Sequence, residues 1–377
     1  MSAWQIFVGE LRAALSDRGV VIIILGASVF YALFYPLPYQ SQVATGLPVI
    51  VVDQDHSASS RDLIRRVSAT EQIRIHAVIS ELREAEARVR DMQASGILVI
   101  PPDFERDILR RQPVQVGAYG NAAFVVLYSQ VVTGMVNAVQ NFSAEIVRER
   151  QLSSGRPPLL ADTLAEPLAV DLQELYNPDG GYANYIVPAV LVLILQQTFL
   201  IGIGMMGAGQ REQGASAARG LVDLLARAGA YLLLLALLLG FYLLVVYEVF
   251  EFPRFGRLRD VYVLMLPFFL AVIFLGLALG QLFRSRETAL QTMMLLSLPA
   301  VFLAGFAWPA EVMPRSLVWL GQLIPSTPGI DGFVRVYQMG ASLEEVGPTL
   351  IQLWLLAGVY LLLAWSTSRK GDRAAVS

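Results

Sequence analysis

Few residues of this chain have side chains that can do chemistry by themselves, and this limits its function. Among 377 residues there is no cysteine, so thiol nucleophiles, disulfides and Cys-ligated metals are excluded. The two histidines, His56 and His76, stand alone, and such histidines are usually structural rather than catalytic or metal-binding. The only lysine, Lys370, follows no glycine-rich loop, whereas a P-loop needs a lysine that reaches the nucleotide phosphates. The chain is therefore not a P-loop ATPase and needs no cofactor of its own; any ATP that drives it would be bound by another polypeptide.

Two adjacent amides, Gln196 and Gln197, interrupt a long apolar stretch. Unpaired amides are costly in such surroundings, so these side chains are expected either to hydrogen-bond between helices or to line a substrate pathway. Four glycines follow at a small-residue spacing that favours close helix packing. These glycines are Gly202, Gly204, Gly207 and Gly209.

A short charged stretch, "QREQGASAARG", begins directly after these glycines. It is either a solvated connector between two apolar segments or a contact with a cytoplasmic partner. We predict that Arg211 and Glu212, at its start, make such a contact.

Residues 306–340 are too apolar and too rich in proline for a free loop, and too broken to cross a membrane. Short helices that re-enter the outer leaflet fit this pattern. We predict that residues 306–333 form an outer gate. The residues assigned to this gate are Trp308, Pro309, Pro325 and Pro328.

The elements that would hold these residues are membrane helices. The chain is 55% hydrophobic and 16% charged, whereas globular proteins are about 25% charged. Runs of about 20 apolar residues predict six transmembrane helices, preceded by an interfacial amphipathic helix over 1–18. A cleaved signal peptide is the alternative for the first run, but no A-x-A-like site follows it. The six predicted spans are 19–37, 184–207, 224–247, 260–282, 288–307 and 347–366.

The arginine distribution predicts that both termini are cytoplasmic. Ten of the 28 Lys and Arg residues lie in the flanks that would then be inside, and five lie in the short outer loops. In this orientation 208–223 is a cytoplasmic coupling loop, 308–346 holds the outer re-entrant helices and loop, and 367–377 is a cytoplasmic tail.

A long polar insertion, residues 38–183, would then lie outside the cytoplasmic membrane. Its first part alternates strand-like with helix-like segments, as in "LPVIVVDQD", "SASSRDLIRRV" and "GILVIPPDFERDILRR". This alternation predicts a small α/β domain. A long helix over 124–150 and a Pro-rich linker complete the insertion. The predicted fold class is thus an α-helical membrane protein with an inserted extracytoplasmic α/β domain.

Four blocks in order along the chain resemble the permease subunits of ABC-2 type exporters, in the branch with a large extracytoplasmic domain after the first helix. They are "VVDQDHSASSRDL", "LVIPPDFERDIL", "YNP…NYIVPA" and "WPAEVMPRSLVWLGQLIPSTPGIDGF". The resemblance assigns ATPase coupling to Arg211, Glu212 and Gly214. Many relatives have E-x-G-T-x-E after the second helix, whereas this chain has Glu212-Gln213-Gly214-Ala215-Ser216-Ala217.

The resemblance implies a permease in the bacterial inner membrane that moves a drug, lipid or glycan outward. Its implied partners are a cytoplasmic ABC ATP-binding subunit, a second permease in a homo- or heterodimer and membrane lipids, with a periplasmic membrane-fusion protein left open; no nucleic acid is expected. One alternative is an envelope adhesion or secretion-accessory protein that binds through residues 38–183. An ion-coupled transporter is disfavoured because no mid-span charged residue is evident.

Overall fold

A computed structural model describes residues 2–165, 175–178, 180–213 and 220–376, with side chains up to 368. The chain divides into two compact units, one formed by Met1–Gln42 with Glu174–Ser377 and the other by Val43–Gln173. We call them the helical unit and the sheet unit. Gly214 and part of the predicted linker lie outside the described residues.

The helical unit begins with α1 (Ala3–Ser16) and with α2, which starts at Arg18, so that only Asp17 separates the two helices. Helix α2 is continuous through three pieces, Arg18–Val21, Ile22–Ala27 and Ser28–Phe34, and the middle piece is wound as a π-helix. The sheet unit follows in the sequence and contains helices α3 to α7. The remaining helices of the helical unit are α8 (Tyr182–Glu212), α9 (Leu221–Phe241, continued by Tyr242–Val246 and Tyr247–Val249), α10 (Leu258–Gly280), α11 (Arg286–Leu303), α12 (Arg315–Gly321), α13 (Ser326–Phe333, continued by Val334–Gln338) and α14 (Gly347–Val376).

Five helices among the described residues are long and apolar enough to cross a membrane. The helix at the predicted fifth span, α11, is not one of them, because Arg286, Glu287 and its other polar residues make it insufficiently apolar. The count of six transmembrane helices therefore stays a prediction. The five segments are Arg18–Tyr39, Tyr182–Glu212, Leu221–Val249, Leu258–Gly280 and Gly347–Ser368.

Helix α8 is the centre of the helical unit. In its most apolar 18-residue stretch, 78% of the residues are buried within the protein, compared with 28% in the corresponding stretches of α2 and α14. It packs against α2, α10, α11 and α13. A helix that is apolar all round and buried in this way acts as a core around which the others pack, whereas α2 and α14 leave most of their apolar surface to lipid or to another subunit.

Helices α8 and α10 approach each other closely where glycine meets glycine. An added Cβ on Gly207 would lie 3.2 Å from the Cα of Gly280, and one on Gly280 would lie 3.4 Å from the Cα of Gly204. The backbones of the two helices therefore touch here without side chains between them, as the small-residue spacing in the sequence favours.

The π-helical pieces of α2 and α9 lie next to a buried hydroxyl network. Ser28 Oγ is 2.8 Å from Thr198 Oγ1, and the Tyr242 hydroxyl donates to the Ser28 carbonyl at 3.0 Å. A π-turn breaks the regular backbone pairing of a helix and changes which carbonyls are available. These contacts tie α2, α8 and α9 together within the apolar core.

The sheet unit is a four-stranded sheet in the order β2-β1-β3-β4. Strand β1 pairs in parallel with β2 and β3, and β4 runs antiparallel to β3. Because parallel strands need a crossover connection, a helix follows each of the first two strands, and a third, short helix precedes the antiparallel β4. The elements in chain order are β1 (Leu47–Asp53), α3 (Ala58–Ser68), β2 (Ile73–Ile79), α4 (Leu82–Arg90), β3 (Gly96–Ile100), α5 (Phe104–Leu109), β4 (Gly117–Gly120), α6 (Val125–Ser153) and α7 (Pro158–Ala165).

Both faces of the central strands β1 and β3 are covered, as is typical of parallel strands, whereas one face of the edge strand β2 is exposed. Alternate side chains of β1 lie on opposite faces of the sheet. Val49 and Val51 pack with the side chains of α3 and α6, while Ile50 packs with Ala85 of α4. Phe104, which follows the two prolines after β3, is buried on the first face.

The turn between β1 and α3 is held by a buried carboxylate. Asp53 accepts hydrogen bonds from the backbone N–H groups of Asp55 and His56, at 3.1 and 3.0 Å, and from the Ser60 hydroxyl at 2.8 Å. His56 adopts a positive φ of 54° in this turn, and its ring is 3.3 Å from the Ser80 hydroxyl. Its role is thus in shaping the turn.

Candidate functional site

A buried ionic cluster joins α1, α8 and α9 at one end of the helical unit, which we call the N-terminal face. Glu10 is only 7% exposed and accepts a 2.7 Å hydrogen bond from the Tyr231 hydroxyl. Arg227 lies 3.6 Å from the same carboxylate and donates to Gln210 at 2.8 Å and to Asp223 at 3.3 Å. An acid buried this deeply is tolerated because a cation and a hydroxyl face it. Helix α1 is therefore fixed to the core by charge as well as by its apolar side.

A second ion pair on the same face connects the elbow between α1 and α2 to the start of α11. Asp17 receives two hydrogen bonds of 2.7 Å from the Arg286 guanidinium and caps α2 by accepting from the Val20 N–H at 3.1 Å. The hydrogen bonds from Arg286 outweigh the effect of burial and lower the pKa of the Asp17 carboxyl, and the helix cap contributes in the same direction.

The Asp17–Arg286 pair gives a pH-dependent prediction. Because the folded-state pKa of Asp17 is lowered, its contribution is present above the unfolded-state pKa of about 4 and is lost as the pH falls through the folded-state value. We expect Asp17→Asn, which keeps a cap oxygen, to lower the free energy of unfolding by about 1 kcal/mol at pH 7. Thermal unfolding in detergent at pH 7 and at pH 3.5 measures this difference.

The matched control is Asp17→Ala, which also removes the cap and should cost about 1 kcal/mol more at both pH values. A gap between wild type and Asp17→Asn that stays the same down to pH 3 would contradict the charge assignment.

The predicted coupling residues lie at the end of α8 on the N-terminal face. Arg211 and Glu212 are the last residues of this helix, and both side chains are exposed. Arg211 donates to the carbonyl of Gln281, directly after α10. Gly214, the third residue assigned to coupling, lies outside the described residues.

The two amides predicted for a pathway or for packing have different surroundings. Gln196 is fully buried, and its amide nitrogen donates to the Ser326 hydroxyl at 3.0 Å, so it joins α8 to α13. Its oxygen Oε1 has no hydrogen-bond partner among the described residues. Gln197 is half-buried on the adjacent face of α8.

At the opposite end of α8, a cavity of about 700 Å³ opens beside Tyr185. We call it the Tyr185 cavity. The start of α8, the stretch after α11, and parts of α12, α13 and α14 enclose it. Rings, amides and charged groups all line it, together with aliphatic side chains. The rings are Tyr176, Tyr185 and Phe306, the amides include Gln322, Gln338 and Gln352, and the charged residues are Glu311, Asp331 and Arg335.

The four predicted gate residues lie in two different places. Pro328 lines the Tyr185 cavity, and Pro325 is buried at the start of α13. Trp308 is 58% exposed, and Pro309 beside it is also exposed. The cavity thus brings the second half of the predicted gate together with α8, while the Trp-Pro pair lies at the surface.

Sequence reasoning missed Glu10, the residue on which the ionic cluster depends. Glu10 follows Phe7 by three residues and precedes Ala14 by four, so it belongs to the packed side of α1. An acid in that position is the signal that could have indicated a buried partner. Its partners Gln210 and Tyr231 lie 200 and 221 positions further along the chain.

Comparison with known proteins agrees with this architecture. The sequence model of the ABC-2 family transporter protein matches residues 18–366, which is nearly the whole chain. The chain belongs to the ABC-2 family of transporter proteins, and together with the five apolar helices among its described residues this makes it a multi-pass membrane permease.

Two relatives are named as permeases. The chain is 21% identical over 383 residues to the probable multidrug ABC transporter permease YbhR of Escherichia coli strain K12, with 97% of this chain and 98% of that protein covered. It is 22% identical over 321 residues to the linearmycin resistance permease protein LnrN of Bacillus subtilis strain 168, covering 78% and 81% of the two chains.

Proposed function

We propose that this chain is the membrane-spanning subunit of an ATP-driven exporter in the bacterial inner membrane, and that it moves a hydrophobic or amphipathic substrate outward. Membership of the family and the names of the relatives support a transport role. Since the only lysine, Lys370, has no glycine-rich loop before it, the ATP would be hydrolysed on a separate subunit. A second permease, as homo- or heterodimer, would complete the membrane part.

The observation that carries this proposal is the N-terminal face. The elbow between α1 and α2, the end of α8 and the starts of α9 and α11 meet there, and ionic contacts connect them. The excess of arginine in the corresponding flanks favours a cytoplasmic location for this face, and hence an outer location for the Tyr185 cavity.

This arrangement suggests how nucleotide binding would be transmitted. A partner that pressed on Arg211 and Glu212 would act directly on α8, which runs from the N-terminal face to the Tyr185 cavity. To move the helices between two states, ATP on the partner would have to favour one of them by several kcal/mol.

We expect Arg211→Glu combined with Glu212→Arg to weaken the complex with the ATPase subunit. This exchange conserves net charge but reverses the local field, so we expect at least a tenfold loss in co-purified ATPase and in its substrate-stimulated ATP turnover. Affinity purification of the tagged permease, with ATP turnover measured in the eluate, tests this.

The matched control exchanges another charged pair, Glu248→Arg with Arg254→Glu, which is exposed at the opposite end of α9. It should leave both quantities within about twofold of wild type. Unchanged turnover in the Arg211/Glu212 variant would contradict the proposed contact, and equal losses in both variants would attribute the effect to general damage.

A further inference from the structure

The Tyr185 cavity has the size and composition of a site for a small organic molecule. Its volume of about 700 Å³ is within the usual range of roughly 300 to 1,000 Å³ for ligand pockets. Leu303, Met313, Ile330 and other aliphatic side chains supply an apolar wall. The mixture of apolar wall, rings and a few polar groups suits a ligand with a large apolar body.

The three charged residues of the lining do not balance each other. Arg335 is already engaged: its guanidinium lies 3.6 Å from the Asp331 carboxylate, one helical turn away, and it donates to the Glu345 carbonyl at 3.0 Å. Asp331 also accepts from the Thr349 hydroxyl at 3.0 Å. Glu311 has no ion-pair partner among the described residues, so the lining carries one uncompensated negative charge.

The aromatic groups of the lining reinforce this preference for positive charge. Tyr185 donates its hydroxyl to the carbonyl of Phe306 at 2.5 Å, which fixes the orientation of its ring at the cavity. The π-face of an aromatic ring attracts cations and provides contact area for flat apolar groups. Gln322 and Gln352 face the same space, and the Gln352 amide donates to the Gln322 side chain at 2.7 Å.

We propose that the Tyr185 cavity binds amphipathic organic cations and that Glu311 provides the charge that selects them. This inference rests on the proposed function, because it takes the cavity to be a substrate site of the exporter. Arg335 acts in the opposite sense, since it neutralises Asp331 and limits the negative charge of the cavity. Removing the Glu311 side chain should therefore lower the affinity for cations, and removing the Arg335 side chain should raise it.

Binding of tetraphenylphosphonium to the full-length permease in lipid nanodiscs tests the proposal. Tetraphenylborate has nearly the same size and shape but the opposite charge, so it separates charge selection from apolar partition. We expect saturable binding of the cation, displaced by unlabelled cation, and at least tenfold weaker saturable binding of the anion.

Two variants of opposite sign make the test specific. Glu311→Gln should weaken binding of tetraphenylphosphonium about three- to tenfold, and Arg335→Gln should strengthen it by a similar factor. Glu344→Gln, which removes an exposed acid outside the lining and next to Glu345 in sequence, should change nothing. Val318→Trp, which fills part of the cavity, should abolish saturable binding.

The proposal is overturned if the cation and the anion bind equally, or if Glu311→Gln and Arg335→Gln both weaken binding. The permease is studied without its ATPase partner, so the result does not depend on coupling. If the Arg211/Glu212 exchange left ATP turnover unchanged while cation binding followed the expected signs, the coupling contact would fail and the cavity assignment would stand. Loss of turnover in that exchange without selective cation binding would instead support the coupling contact and refute the cavity assignment.

Discussion

Arg227→Met is expected to lower the free energy of unfolding by about 3 kcal/mol. The Glu10 carboxylate is 7% exposed and its cation is Arg227, so the variant leaves a buried negative charge without a positive partner, held only by hydrogen bonds from Tyr231 and Gln210. Asp223, one turn before Arg227, loses its contact with this guanidinium at the same time. Thermal unfolding of the detergent-solubilised protein should show a fall in the midpoint of about 4 to 6 °C.

Burial is the reason for this large effect, and the chain offers a matched comparison. Arg254 forms an ion pair of 2.6 Å with Glu248, but the side chains are 44% and 65% exposed. Arg254→Met should therefore cost less than about 1 kcal/mol. Adding Glu10→Gln to Arg227→Met should recover part of the loss, because a neutral amide is less costly to bury than a carboxylate. Equal midpoints for the two arginine variants would contradict the assignment of the cluster.

The second large effect is expected at the contact between α8 and α10. A Cβ on Gly207 would lie 3.2 to 3.4 Å from backbone atoms of Gly280, and backbone cannot move aside as a flexible side chain can. We expect Gly207→Ala to cost about 1 kcal/mol and Gly207→Leu at least about 3 kcal/mol, since a larger side chain separates the helices. The yield of monodisperse protein and its unfolding midpoint measure this series.

Gly358 provides the control for this series. It also lies within an apolar helix, α14, but an added Cβ there has no neighbour within 4 Å. Gly358→Leu should be neutral or slightly stabilising, because leucine favours the helical state by up to about 1 kcal/mol over glycine. If both leucine variants behaved alike, helix propensity rather than close packing would govern the two positions.

Long apolar runs predicted the membrane class well, because an apolar segment of that length has few other stable environments. The run at 288–307 was the difficult case. Arg286 and Glu287 start the observed helix there, and its polar content leaves it outside the group of sufficiently apolar helices. The charge distribution predicted an orientation as well, and that orientation stays a prediction because packing within the protein is the same whichever end faces the cytoplasm.

The polar contacts of the candidate site could not be read from the sequence in the same way. Gln196 was recognisable as an amide in an apolar run, but its partner Ser326 is 130 residues away, within a stretch predicted only as re-entrant. Glu10 has a position on the packed side of α1 that hints at burial, but nothing in the sequence names its partners Arg227 and Tyr231. Pairings of this kind depend on which helices become neighbours, and a local pattern of 3.6 residues contains no information about that.

Helix α8 also has a mechanical consequence. Gly207 is a side-chain-free contact near one end, and Tyr185 lies 22 residues away, which corresponds to about 33 Å of helix. A tilt of about 5° around the glycine contact would displace Tyr185 by roughly 3 Å, about the width of a water molecule. A small tilt of α8 about the glycine contact, which lies close to the ionic cluster, would barely disturb the packing at that end. The same tilt would change the width of the Tyr185 cavity at the other end.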